Sequence, residues 1–277
     1  MAPSIARRAG RAPARVGRAR RGVGYLAAVD LALRVRHKQP EPVDFEIPRG
    51  FVRIERGVQR AVLLTPETLD PARRYPLLTV LHGAGRQDEL LLRGCRGEAE
   101  ARQALFLIPR SFHTTWDLIA QAAGSGGRSP EGAPPPSQRP DLDFLEFAYD
   151  LIYRRYPVDA GRQALLGYSD GASYALSVGL SNPQIFRAVL GWAAGFLALN
   201  PAAAEPGTPR PAVLLEYGSH DELFPFEQVA LPMRAQLEDL GCQVTFRVDE
   251  GGRHWPSGSF QREALDWFFS EPWQQRN

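Results

Sequence analysis

Short apolar runs alternate with longer amphipathic stretches through most of this chain. Runs near 76–82, 104–109, 163–168, 187–192, 212–217 and 243–248 have too few polar interruptions to carry a wet face. That is the pattern of strands buried on both sides in a parallel sheet. Stretches near 88–102, 141–155, 170–181, 227–240 and 259–269 read as helices that cover such a sheet. Regular alternation of the two implies right-handed crossovers and an α/β, doubly wound sheet. Ahead of them, the β-rich stretches Phe51 to Glu55 and Arg60 to Leu64 flank the turn Arg56-Gly57-Val58-Gln59 and predict an antiparallel hairpin at one sheet edge. Residues 124–136 are too rich in Gly and Pro to pack, which predicts a mobile loop over about 124–140.

Charge divides the chain in two. Residues 1–38 carry ten of the 33 Lys and Arg against one acid, Asp30, so a net +2 is the sum of +9 there and −7 elsewhere. Gln39-Pro40-Glu41-Pro42 disfavours a helix running across the junction. The division is therefore an Arg-rich, disordered arm at 1–42 and one α/β domain at 43–277. Ile5, Ala9, Ala12, Val16 and Ala19 fall opposite Arg7, Arg11, Arg15 and Arg18 at helical spacing, as in an organelle transit peptide or a membrane-surface helix. Gly10, Pro13 and Gly17 oppose that helix, and the arginines interrupt any secretory apolar core. A cytoplasmic protein is the expectation, with organelle targeting by the arm as the alternative. No nucleic-acid partner is expected. No run reaches the 18 or more apolar residues of a membrane span, so no stable membrane insertion is expected either. Cys95 and Cys242 lie far apart with no partner spacing, which suggests buried thiols on helices rather than a disulfide framework or a metal site.

The candidate chemistry lies at strand ends. Ala164-Leu165-Leu166 leads into Gly167-Tyr168-Ser169-Asp170-Gly171 and then into a helix-like stretch, the strand, sharp turn and helix that lift a serine out of a sheet. The 76–82 strand runs into His82-Gly83-Ala84-Gly85, the 212–217 strand into Gly218-Ser219-His220-Asp221, and the 243–248 strand into Asp249-Glu250-Gly251-Gly252-Arg253-His254. Ser169, Asp221 and His254 thus follow in the order nucleophile, acid, base, at the sheet edge where ligands bind in open parallel sheets. A serine hydroxyl is a weak nucleophile at neutral pH, and needs an imidazole to take its proton as it attacks a carbonyl. His254 would be that base, Asp221 would hold its tautomer, and the N–H of Asp170 with that of Gly83 or Ala84 would face the oxyanion. His113 and His220 compete for the base, and Glu216 and Glu222 for the acid. Glu216 lies within its strand and Glu222 one residue too far along the loop. His82 is expected to brace backbone. Phe112-His113-Thr114-Thr115-Trp116-Asp117 also follows a strand end, so His113 and Trp116, together with Tyr168, are candidate substrate contacts, although Trp116 could equally close the edge of the core.

With these segments in view, residues 58–270 resemble the α/β-hydrolase superfamily, and within it the bacterial esterases of the phospholipase/carboxylesterase, or polyhydroxybutyrate-depolymerase-like, group. The matching segments are Leu78 to Gly85, Thr115-Trp116-Asp117, Gly167 to Leu176, Gly218 to Pro225 and Gly251-Gly252-Arg253-His254. The resemblance implies a Ser169, His254, Asp221 triad, no metal or organic cofactor, and hydrolysis of a small-molecule carboxylic ester with a short or medium acyl chain. A small peptidase of prolyl-oligopeptidase type and a non-catalytic ligand sensor or scaffold are the alternatives. Nothing resembles the separate substrate-binding domain of secreted polymer depolymerases. Neither acyl length nor oligomeric state follows from the sequence.

Overall fold

In the computed structural model, which describes residues 30–36, 47–122, 137–200, 205 and 207–270, eight strands form one sheet. They are β1 (Phe51–Arg56), β2 (Gln59–Leu64), β3 (Tyr75–Leu81), β4 (Leu105–Pro109), β5 (Val158–Tyr168), β6 (Ala188–Trp192), β7 (Ala212–Gly218) and β8 (Val244–Asp249). Their order is β1-β2-β4-β3-β5-β6-β7-β8. The β1–β2 hairpin joins β4 antiparallel, and every pairing beyond β4 is parallel.

Two-residue periodicity sorts the apolar side chains onto two faces. Leu77 and Leu81 of β3, with Leu105 and Leu107 of β4, enter the larger core. That core is closed by α3 (Asp117–Ala122), α4 (Pro140–Arg155), α5 (Asp170–Ser181), and a π-helical turn (Phe226–Ala230) running into α6 (Leu231–Asp239). Leu78, Val80, Phe106 and Ile108 face the other way, toward α1 (Asp88–Cys95), α2 (Glu98–Arg102) and α7 (Gly258–Phe269).

Several boundaries differ from the sequence reading for local reasons. The helix expected over 88–102 breaks in two, with Gly97 capping the second piece. The helix expected at 227 begins as a π turn, and Pro232, which has no N–H to donate, follows at once in α6. Short α3 was not foreseen. Cys95 and Cys242 are both buried and free, but Cys242 sits in the loop before β8 rather than on a helix. Most of the expected mobile loop lies outside the described residues. Its far end is ordered differently from the expectation, since α4 begins at Pro140 and Arg139 bonds to Asp143 and Glu146.

The boundary placed at residue 42 is corrected. Leu31, Leu33 and Val35 are only 2%, 5% and 8% exposed and belong to the larger core. Asn182 at the end of α5 fastens them, accepting from the Leu33 N–H at 2.8 Å and donating to the Leu31 carbonyl at 2.8 Å. Asn200 Oδ1 accepts the Leu31 N–H at 2.8 Å, and Arg139 donates to the Ala32 carbonyl at 2.7 Å. Alternating apolar side chains plus satisfied backbone groups make 30–36 part of the body. The rest of the proposed arm lies outside the described residues.

A serine repeat on α5 performs a similar task. Beyond Ala193, whose N–H donates to the Glu216 carbonyl of β7, the irregular segment leaves the sheet and the helix supplies acceptors. Ser173 Oγ accepts from Gly195 N–H at 2.8 Å, Ser177 Oγ from Ala198 N–H at 3.0 Å, and Ser181 Oγ from Asn200 N–H at 3.2 Å. Spacing of four residues puts all three hydroxyls on one stripe of the helix.

Candidate active site

The nucleophile candidate sits at a tight turn. Ser169 has φ 54° and ψ −118°, a strained conformation for a residue with a side chain, between the end of β5 and the start of α5. The turn closes only because its flanks lack side chains. A Cβ on Gly167 would land on the Gly171 carbonyl oxygen, and one on Gly171 would land on the carbonyl oxygens of Leu81 and His82. The Ser169 N–H donates to the Trp192 carbonyl at 2.8 Å, which ties the turn to β6.

Three strand ends bring the partners to it. His254 Nε2 lies 2.9 Å from Ser169 Oγ, and His254 Nδ1 lies 2.7 Å from Asp221 Oδ2. With Nδ1–H donating to the carboxylate, Nε2 is left to accept from the serine hydroxyl. The Asp221 side chain is fully buried, and its other oxygen accepts the Leu223 and Phe224 N–H groups at 2.8 and 2.9 Å. The acid is therefore held at both oxygens. Trp192 Nε1 donates to the His254 carbonyl at 2.7 Å, and the rings of Tyr168 and Phe224 stand 5.3 and 5.1 Å from the imidazole.

Facing the serine is the loop after β3. A Cβ on Gly83 would meet the Tyr168 ring and come within 3.3 Å of Ser169 Cβ, so the Gly83 backbone packs directly against the nucleophile. Gly85 spends its N–H on the Thr114 carbonyl at 2.8 Å, leaving Gly83 and Ala84 as the loop's candidate oxyanion donors. Asp170, opposite, opens α5, where first-turn N–H groups have no intrahelical partner. Thr115 Oγ1 donates to the Asp170 carboxylate at 2.7 Å and so anchors that turn.

His82 braces this loop, as expected. It is fully buried, its Nε2 accepts the Ser111 N–H at 3.0 Å, and burial lowers its pKa to about 4, which keeps it neutral. Trp116 is corrected as a substrate contact: it is 1% exposed, its ring stacks between His82 and Tyr174, and its indole N–H donates to the His82 carbonyl at 2.8 Å. It closes the core beneath the site. His113 is half-buried and enters through its backbone, its carbonyl accepting from Arg86 Nε at 2.7 Å. His220 is exposed beside Ser219, Glu222 pairs with Arg253 at the surface, and Glu216 turns to the α7 side of the sheet. None of these joins the Ser169–His254–Asp221 row.

Sequence reading missed a buried carboxyl pair beneath the rim. Asp117 and Asp141 each accept the other's backbone N–H, at 2.9 and 2.7 Å, and Asp141 also accepts from Phe112 N–H at 2.6 Å. Burial pushes both carboxyls above their ordinary range. The clasp joins the starts of α3 and α4 to the 111–117 segment. Among the described residues, no group of three or more His, Cys, Asp or Glu is placed to hold a metal ion. No described helix is long and apolar enough to cross a membrane.

A mostly parallel sheet with an antiparallel edge, covered on both faces, is shared with solved hydrolases. The carboxylesterase of Mesorhizobium loti superposes with a TM-score of 0.58 at 18% identity, covering 81% of this chain and 100% of that one. S-formylglutathione hydrolase FrmB of Staphylococcus aureus gives a TM-score of 0.57 at 15% identity, covering 79% and 98%. The chain has the α/β-hydrolase fold. A Bacteroides ovatus protein named as a dipeptidyl aminopeptidase IV matches equally well, with a TM-score of 0.57 at 16% identity over 80% of this α/β-hydrolase chain and 35% of that one. No family model matches. In sequence, 156 residues are 31% identical to NocK of Nocardia uniformis subsp. tsuyamanensis, a protein assigned by name to the esterases. The match takes in 55% of this chain but spans only 42% of the relative's length.

Proposed function

We propose that this α/β-hydrolase-fold protein is a serine hydrolase of small carboxylic esters, of the carboxylesterase or lysophospholipase-like kind, with short or medium acyl chains. The observation that carries the reading is the continuous row from Ser169 Oγ through His254 to a buried, doubly held Asp221. Ser169 attacks the ester carbonyl while His254 Nε2 takes its proton, and Asp221 stabilises the imidazolium that forms. Negative charge develops on the carbonyl oxygen between the N–H of Asp170 and that of Gly83 or Ala84, where each donor contributes about 3 kcal/mol to lowering the barrier. Collapse expels the alcohol, protonated by His254, and leaves an acyl group on Ser169. Water, deprotonated by His254, then releases the acid. Tyr168, beside the imidazole, is positioned to touch substrate.

The esterase name of the partial sequence relative supports an ester over an amide, whereas the fold is also found in the peptidase-named neighbour and does not choose. The test is hydrolysis of p-nitrophenyl acetate and butyrate beside a panel of dipeptide amides. Turnover of the esters alone, lost in Ser169→Ala, is expected. Full ester activity in that variant, or cleavage of the amides at comparable efficiency, would overturn the reading.

A further inference from the structure

On the side of the sheet away from α5, the packing leaves a cavity of about 720 Å3 between β5–β7, α1 and α7. The cavity opens to solvent past Leu90, Arg93, Gly94, Gln261 and Arg262, and its volume falls in the range of small-molecule sites, roughly 300–1,000 Å3. Its walls are mainly apolar, among them Leu91 of α1, Leu190 of β6 and Leu265 of α7. One ionisable group reaches in from the sheet. Glu216 of β7 is 3% exposed and lines the cavity, and its Oε1 has no hydrogen-bond partner among the described residues. Arg247, its neighbour on β8, lies 3.2 Å from that oxygen without hydrogen-bond alignment, and is shared with Glu263 of α7.

A buried carboxyl oxygen faced by a guanidinium that it shares with Glu263 gains from a further, better aligned hydrogen-bond donor. We propose that this cavity is a second ligand site, for an apolar molecule carrying a hydrogen-bond-donating head that seats against Glu216. Neither Ser169, His254 nor Asp221 lines it. Its roof nonetheless belongs to both places. Trp192 lines the cavity and holds the His254 carbonyl, while Tyr168, also in the cavity wall, packs on the imidazole and on Trp255. An occupant would touch side chains that also hold His254, without entering the space in front of Ser169.

The chain offers a clean way to fill the space. Leu91, Gly94, Cys95 and Glu98 all line the cavity, and a Cβ on Gly94 would meet nothing within 4 Å. The test titrates N-phenyl-1-naphthylamine, an apolar fluorophore with one N–H donor, into the full chain. Saturable binding is expected, weakened more than about tenfold by Gly94→Phe at unchanged thermal stability. Leu190→Trp fills the cavity from the sheet side and decides the matter should the first variant fold poorly. Above pH 8, where Glu216 is ionised, decylamine and decanol should displace the fluorophore more readily than decanoate, which would set a second carboxylate against Glu216. Glu216→Leu should remove that discrimination. Reacting the protein with a fluorophosphonate should leave the fluorophore still able to bind. Full binding in both filled variants, displacement by decanoate as readily as by decylamine, or loss of binding after fluorophosphonate treatment would overturn the proposal. None of the binding measurements with the filled variants depends on Ser169 being reactive.

Discussion

The two faces of the sheet are built to different tolerances. On the α5 face, buried polar groups act as fasteners, with Ser173, Ser177 and Ser181 holding 193–200 and Asn182 holding 31–33. On the α7 face, Leu190 and Leu265 border a cavity, and the buried Glu216 is held by an Arg247 guanidinium that it shares with Glu263. The difference follows what each face supports. Ser169 is held in a strained conformation that costs on the order of 1–3 kcal/mol, and such strain persists only where its surroundings over-determine it. The helix that starts at Ser169 is locked along its whole length. The opposite face reaches the site through Tyr168, Trp192 and Trp255 and leaves room beside them.

Substitutions by glycine replacement should expose this contrast most strongly. Gly171→Val would drive a side chain into the Leu81 and His82 carbonyls, and should cost more than about 4 kcal/mol in urea unfolding or prevent folding. Gly94→Leu, entering open space on the other face, should change stability by less than about 1 kcal/mol, with helix propensity in its favour. Equal losses would break the comparison. Leucine truncation should follow the same order: Leu176→Ala, on the tightly packed side of α5, should cost about 2–5 kcal/mol, and Leu190→Ala, which already borders the cavity, distinctly less.

Acidity separates the faces in a third way. Burial raises the Glu216 pKa to about 7, so its protonated form stabilises the fold below the ordinary carboxyl range, and that contribution is lost as pH rises through about 7. Glu216→Gln keeps an acceptor and removes the ionisation. It should gain roughly 1–3 kcal/mol relative to the unmodified chain between pH 5 and pH 8, measured by denaturant titration at each pH. The Asp117–Asp141 pair has the same sign, whereas His82, held low, contributes stability above about pH 6.5 that is lost as pH falls toward 4. An unchanged pH slope in Glu216→Gln would contradict the burial of that carboxyl. A modest effect is expected of Ser177→Ala, about 1–2 kcal/mol for the stranded Ala198 N–H, with faster amide exchange confined to 193–200.

Much of this was legible because its signals are local. Strands buried on both faces read as unbroken apolar runs, and the glycines of 167 and 171 announce a turn that admits no side chain. The chain order of Ser169, Asp221 and His254 could be read because each follows such a run, and the structure brings those three within hydrogen-bonding distance. What escaped depends on tertiary contact. Leu31, Leu33 and Val35 have the two-residue period of a strand, yet their basic surroundings outweighed it, and only Asn182 and Asn200, far along the chain, reveal where they bind. The four-residue serine repeat was visible but mute without the 193–200 segment beside it. Trp116 follows a strand end like a rim residue and instead slides between His82 and Tyr174. The cavity is invisible in sequence because it is set by how far α1 and α7 stand apart.

The most direct test of the hydrogen-bonded row is covalent labelling by a fluorophosphonate, with the adduct located by peptide mass spectrometry. Modification at Ser169, slowed by at least about a thousandfold in His254→Ala, is the predicted result. A protein that stays unmodified, or an adduct at Ser169 that forms equally fast without the imidazole, would contradict an activated serine at this turn.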